Sequence, residues 1–157
     1  MKKQYKFLIL LAVVIVGIIA WYLGSPLFID KRVNEDIIIV PDASKDQDAA
    51  VTLLSQGSFV GADSLHQVKG TAKVVEKEGK RYVVLENFES TNGPDLKVYL
   101  AADAKATEFV SLGALKGNIG NQQYEFSKEV DLEKYKYVLI WCRAFSVLFG
   151  SAELTSS

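Results

Sequence analysis

All-β is the class to which this 157-residue sequence points, as an antiparallel β-sandwich or jelly-roll-like domain behind one N-terminal transmembrane helix. Three observations carry the assignment. Phe7 to Leu23 reads FLILLAVVIVGIIAWYL, without a charged side chain. From Gly57 onward the apolar runs become short, β-branched or aromatic, and are separated by Gly, Asn or Asp, which is strand punctuation. Beyond Gly57 no amphipathic stretch has the length an α/β crossover requires.

The apolar run comes first. Its 17 residues, 7–23, span roughly 26 Å as a helix, and the uncharged stretch to Ile29 spans roughly 34 Å, against a hydrocarbon core of about 30 Å. Trp21 and Tyr22 stand near its far end, at the depth amphipathic rings prefer. Pro26 marks the helix end. Lys2, Lys3 and Lys6 precede the run, whereas Asp30, Lys31, Arg32, Glu35 and Asp36 follow it. The purely basic flank places residues 1–6 in the cytoplasm and residues 30–157 outside the cell membrane. A cleaved signal peptide is the alternative. It requires small residues after a short apolar core, and here bulky Trp21, Tyr22 and Leu23 occupy those places. Setting Lys2, Lys3 and Lys6 aside from the 18 cations leaves 15 against 19 acids, a charge of −4 on the exported part. Such a domain is expected to stand off an anionic bilayer on its linker.

Residues 30–56 read as that linker. Asp36-Ile-Ile-Ile-Val-Pro41 offers a short apolar run. Ser44 is a candidate cap for a short helix reaching Ser55 and stopped by Gly57; a flexible polar segment is the equal alternative.

The domain occupies 57–154. Leu65 to Glu76 alternates as a strand, with Val68, Gly70, Ala72 and Val74 on one face. Glu78-Gly79-Lys80 turns the chain into Arg81–Phe88, completing a hairpin. Leu96, Val98 and Leu100 point inward from the next strand. Phe109–Leu112, Gln123–Phe126, Tyr135–Cys142, Phe145–Phe149 and Ala152–Leu154 supply the rest. Phe59, Phe88, Tyr99, Phe109, Tyr124, Phe126, Trp141, Phe145 and Phe149 are the expected aromatic core.

Composition excludes several functions. A formal charge of −1 does not suit sequence-independent nucleic-acid binding, so no nucleic-acid partner is expected. A single Cys forbids an internal disulfide, a zinc ribbon and a Cys-x-x-Cys-His haem attachment. That residue, Cys142, is the first candidate for chemistry. An unpaired thiol outside the cytoplasm is a reactive sulfur, a prosthetic-group ligand or an intermolecular bridge; a buried filler is the competing reading. Lys136 hints that the Cys142 face is the outer one, and Arg143 stands ready to act on the thiol. His66 shares the inward parity of Val68, so an extended strand would aim its imidazole inward as a metal or haem ligand; a satisfied structural histidine is the alternative. Glu89 and Asp95 flank the Asn92-Gly93-Pro94 turn and together could offer oxygen ligands to a cation such as Ca²⁺, although EF-hand spacing is missing and a structural turn is the favoured reading.

Gly57-Ser-Phe-Val-Gly-Ala-Asp-Ser-Leu-His66 with Gly70-Thr-Ala and Leu85-Glu-Asn-Phe88 resembles the opening of the DM-thirteen (DM13) domain. Asn92-Gly-Pro-Asp-Leu-Lys-Val-Tyr-Leu100 is similar to that family's central motif. Leu112-Gly-Ala-Leu-Lys-Gly117, Gly120-Asn-Gln-Gln-Tyr124 and Ile140-Trp-Cys-Arg-Ala-Phe145-Ser-Val-Leu-Phe-Gly150 resemble its later signature. Ser25-Pro-Leu-Phe-Ile-Asp30 is similar to the anchor exit of bacterial members. The resemblance implies an extracytoplasmic β-rich domain proposed for electron transfer. It places the family's recurring Cys on Cys142, as a redox thiol or as a ligand to a prosthetic group such as haem.

Two functions follow as expectations. One is a membrane-tethered redox module that works with a redox protein partner through Cys142. The other is a non-catalytic binding module that recognises a protein, glycan or cation through its loops. Membrane lipid is the expected partner of the helix in both.

Overall fold

A computed structural model of the chain describes residues 2–24, 29–38 and 51–156. Its first element is α1, Lys2–Gly24, which runs past the apolar core at both ends. Within it Gln4–Tyr22 is long and apolar enough to cross a membrane, and none of that stretch is buried by protein. Trp21 and Tyr22 are both more than 70% exposed. Pro26 lies outside the described residues.

Nine strands follow: β1 (Val51–Gly61), β2 (Val68–Lys77), β3 (Lys80–Ser90), β4 (Leu96–Ala101), β5 (Phe109–Ala114), β6 (Gln122–Phe126), β7 (Tyr137–Cys142), β8 (Val147–Glu153) and the short β9 (Thr155–Ser156). The order across the sheet is β5-β4-β7-β8-β1-β2-β3-β6, with β9 paired to β1 and every ladder antiparallel. β5 and β6 approach each other at the two ends of this path. The sheet therefore curls into a sandwich-like, nearly closed barrel, the all-β antiparallel class expected.

Alternation fixes the inside. Ala72, Val74, Val83, Leu85, Val98, Leu100, Val138 and Ile140 are fully buried in one core with Phe88, Phe59 and Phe149. Removing this apolar surface from water, at about 25 cal/mol per Å², is the main favourable term. Phe59 and Phe88 meet edge to face at 5.5 Å. A smaller cluster of Tyr99, Ala101 and Leu139, with Tyr137, Trp141 and Leu148, covers the other face of β4 and β7.

Several expectations are corrected. Residues 51–55 form the start of β1 rather than the end of a helix, because Val51 to Leu53 pair with Lys77 to Val75; the rest of that proposed helix, with Ser44, falls outside the described residues. Phe145–Phe149 and Ala152–Leu154 are not two strands: Val147–Glu153 is one, and Phe145 occupies the turn before it, 62% exposed. Phe109 is 44% exposed and stacks on Tyr99 at 4.2 Å instead of entering the core.

Residues 29–38 are no free linker. They lie as a strap against the connection between β5 and β6. Val33 N–H donates to Ile119 O (2.8 Å) and Glu35 N–H to Asn121 O (2.9 Å). The Glu35 carboxylate accepts from Lys116 Nζ (2.7 and 2.9 Å) and from the Gln123 amide (2.9 Å). Gln123 Oε1 in turn accepts from Ile38 N–H at 3.0 Å. Gly120 makes this fit possible. A Cβ there would lie 1.8 Å from Val33 O, and its φ of +109° is one that L side chains rarely adopt. Beneath the strap, buried Gln122 bonds the Gly117 carbonyl (2.9 Å) and accepts from Tyr124 Oη (2.7 Å), so its amide is satisfied in the core.

Successive strands from β1 to β8 alternate in direction, which puts the chain reversals at two opposite ends. Loops 62–67, 91–95, 115–121 and 143–146 share the end at which the strap begins. Loops 78–79, 102–108 and 127–136 share the far end.

Candidate functional site

Cys142 closes β7 at the strap end of the barrel. Its ladder partners are Leu96 on β4 and Val147 on β8. It is 0% exposed and belongs to the main core with Val138 and Ile140. The hint from Lys136 of an outward sulfur is thus overturned. β7 is covered on both faces, and parity places Val138, Ile140 and Cys142 inside while Tyr137, Leu139 and Trp141 face the smaller cluster. Lys136 precedes the strand and does not report on its faces.

The strand beside the sulfur's own reaches a surface recess. Leu96, 8% exposed, pairs with Cys142 and also lines a cleft of about 480 Å³ with Ile29, Asp30, Gly93, Asp95 and Leu115. The Asn92-Gly93-Pro94 turn lies over Leu96. A Cβ on Gly93 would come within 2.9 Å of Leu96 Cδ2 and 2.8 Å of Phe149 Cζ, so only glycine lets the turn settle this closely.

The charges nearby are paired with one another. Arg143 Nε donates to Asp95 Oδ2 at 2.7 Å, and Lys97 Nζ to Asp95 Oδ1 at 2.9 Å. These two cations, Lys97 first, hold the Asp95 carboxyl below its usual pKa despite partial burial. The Arg143 side chain is thereby turned to the surface carboxylate, and its backbone N–H donates to Asp95 O at 3.0 Å. Glu89 pairs across the ladder with Lys69, 2.9 Å between Nζ and Oε2. Glu89 and Asp95 therefore each face lysine or arginine. Among the described residues no group of three or more His, Cys, Asp or Glu is gathered for a metal.

His66 does not extend β2, which starts at Val68. It sits in the 62–67 loop, where Asp63 organises a turn. Asp63 Oδ1 accepts the N–H groups of Leu65 (2.7 Å) and His66 (2.8 Å), and Oδ2 meets His66 Nδ1 at 2.8 Å. The imidazole bond first, then these amides, pull the Asp63 pKa down to about 2. The ring packs edge-on against Phe149 at 4.5 Å. The expected inward imidazole is overturned because three Asp63 bonds make residues 63–66 a turn, not a strand.

Haem, implied by the family resemblance, does not fit this arrangement. The sulfur is sealed, the imidazole is committed to Asp63 and Phe149, and neither Cys142 nor His66 lines the clefts on either side of Asp30.

Sequence reasoning missed the polar knot at the strap's start. Asp30 Oδ1 accepts from Asn118 Nδ2 (2.9 Å) and Asn92 Nδ2 (3.0 Å), while Asn118 Oδ1 accepts from Lys31 N–H (2.6 Å). The Asn118 bond, then the Asn92 bond, lower the Asp30 pKa. A second cleft of about 390 Å³, lined by Glu89, Thr91 and Ile119, flanks the same three residues. The paired Gly117 and Gly120 were the available signal, since both mark close backbone approach to the strap.

The model of one family, Electron transfer DM13, matches residues 58–154. The chain belongs to the DM13 family. The DM13 match takes in all of β2 to β8 and the last four residues of β1, together with the 91–95 loop and Cys142. No curated protein and no solved structure matches the chain.

Proposed function

We propose that this DM13 protein is held in the cell membrane by α1, with residues 1–6 in the cytoplasm and the barrel outside. Its domain serves electron transfer through Cys142 as a gated thiol. The basic N-terminal flank and the unburied apolar helix support the tether. The observation that carries the redox reading is the position of Leu96, at once the ladder partner of Cys142 and a wall of the 480 Å³ cleft. In the closed barrel a thiol so buried is inert. Reaction therefore requires local opening at Leu96 and the exposed 143–146 turn, the kind of sub-global opening that leaves a core intact.

The electron balance is simple. The Cys142 thiolate attacks one sulfur of a partner protein's disulfide. That S–S bond breaks, a Cys142–partner disulfide forms, and the partner's other sulfur leaves as a thiolate carrying the electron pair. A thiol of a separate dithiol donor then attacks the Cys142 sulfur of the bridge, releasing the partner as a dithiol, and the donor's second thiol displaces the Cys142 thiolate, leaving the donor as a disulfide and the electron pair on the partner. With one cysteine, the chain must find every second sulfur in another molecule.

Maleimide labelling of the full chain in vesicles tests the gate. Cys142 should label slowly in native buffer, and faster in Leu96→Ala by more than that variant's loss of global stability accounts for. Labelling that tracks global unfolding in both proteins refutes the gate.

A second reading has its own observation, the two clefts flanking Asp30, Asn92 and Asn118. They suit a recognition module for a protein, glycan or cation. Under it Cys142→Ser leaves the phenotype intact while Asn92 or Asn118 substitutions abolish it; the redox reading expects the reverse.

A further inference from the structure

The barrel has two unlike ends. Outside α1, five large apolar side chains are exposed among the described residues: Ile29 (60%), Val60 (68%), Leu65 (78%), Phe109 (44%) and Phe145 (62%). All but Phe109 lie at the end where the strap begins. Leu65 tops the β1–β2 loop and Phe145 the β7–β8 turn. These loops are neighbours, because β8 pairs with β1. The 91–95 loop bridges them, with Thr91 N–H donating to Gln67 O and Arg143 N–H to Asp95 O. Asp30 joins the same surface through Asn92.

Charge divides along the same axis. The far loops, 78–79, 102–108 and 127–136, hold six carboxylates against four lysines. The near loops with residues 30–35 hold four carboxylates against four cations. The −4 of the exported part is therefore weighted away from the strap end.

Chain length supplies the missing neighbour. From Gly24, which ends α1, to Ile29 is five Cα steps, at most about 17 Å of extended chain. The strap then fixes Lys31 and Val33 to the barrel by backbone hydrogen bonds.

We infer that the strap end of the barrel rests on the bilayer carrying α1, with Leu65 and Phe145 inserted in the lipid interface and the acidic far loops facing away. This rests on the tether of the proposed function and not on its redox step. Large apolar tips bordered by Arg and Lys suit the boundary between headgroup and acyl chain, and the missing net negative charge at this end removes the repulsion that would hold the whole domain off. The near face thus departs from the stand-off expected from net charge alone.

The test uses the full chain in phosphatidylcholine vesicles, in a Cys142→Ala background, with nitroxides on Leu65→Cys, Phe145→Cys and, at the far end, Lys128→Cys and Glu78→Cys. Labels at 65 and 145 should lose most of their relaxation by an aqueous nickel complex and gain relaxation by oxygen, while labels at 78 and 128 keep the aqueous pattern. A chain that floats with vesicles while labels 65 and 145 match 78 and 128 overturns this inference and leaves the tether standing. A chain that fails to float overturns the tether, and this inference with it.

Discussion

Gly120→Ala should detach the strap while sparing the barrel. The new Cβ would sit 1.8 Å from Val33 O, and the φ of +109° adds strain for any L side chain, so Val33 must retreat. Three tethers go with it. The Val33–Ile119 and Glu35–Asn121 backbone bonds contribute about 1 kcal/mol each. The Glu35–Lys116 pair has side chains about a third exposed and is discounted for screening to about 1 kcal/mol. The sum, about 3 kcal/mol, is roughly a hundredfold in the opening equilibrium. Amide hydrogen exchange reads this directly. Val33 and Glu35 should exchange roughly a hundredfold faster in the variant, with β2 and β3 amides retaining their protection. The Ile38 amide, bonded to the Gln123 side chain, should loosen with them. Wild-type protection at Val33 and Glu35 in the variant would refute the strap as a built-in element.

Acid should release the same strap. Burial alone would raise the Glu35 pKa; the Lys116 bond and the Gln123 amide outweigh it and hold it below its ordinary 4.5. A depressed folded pKa gives stability that is full above that ordinary value and fades as pH falls through the lowered one, so Val33 exchange, corrected for its intrinsic pH dependence, should accelerate only below about pH 4.5. The 62–67 loop should outlast it. The Asp63 pKa is about 2 in the fold against an ordinary 3.8, so Leu65 and His66 amide shifts should hold until pH approaches 2, and Asp63→Asn should loosen them at neutral pH. Gln122→Ala strips partners from the Gly117 carbonyl and Tyr124 hydroxyl and should cost about 2–4 kcal/mol by denaturant titration. Cys142→Ser places a hydroxyl in an apolar cage and should cost about 1–3 kcal/mol, whereas Cys142→Ala should cost less; equal losses in the two variants would argue that the sulfur is not sealed.

What the sequence disclosed follows from how local each signal is. Period-2 alternation in Val68–Val74 and Leu96–Leu100 is a property of the strand itself, and Val68, Ala72, Val74, Leu96, Val98 and Leu100 are buried as expected, while Gly70 sits half-buried at a shift in the β2–β3 register. The Glu78-Gly79 hairpin is equally local. Phe145 misled because a large aromatic between apolar neighbours reads as strand; only the ladder, with Cys142 opposite Val147, shows that four residues are spent on the turn. Position 66 misled for the reverse reason, since a single carboxylate three residues upstream reorganised the backbone. The strap left the faintest trace. Its partners lie more than eighty residues away, as in Lys31 with Asn118 and Glu35 with Lys116, and nothing in residues 29–38 alone reports them.

The strap and the thiol occupy the same end of the barrel, and this constrains any electron exchange. Cys142 ends β7 beside the turn that carries Phe145, and Leu96 opens toward the cleft that Ile29 and Asp30 help to line. If the sulfur is reached by displacing Leu96, and if this end rests on the bilayer as proposed, the partner must approach between the barrel and the bilayer, or lie in the bilayer itself. Releasing the strap then has an effect that no change in the thiol's own surroundings produces: it lengthens the tether and frees that approach. Gly120→Ala in vesicles should therefore speed mixed-disulfide formation with a membrane-bound dithiol partner more than with a small soluble disulfide. Equal acceleration of both would mean that the strap governs opening at Leu96 and not access from the membrane side.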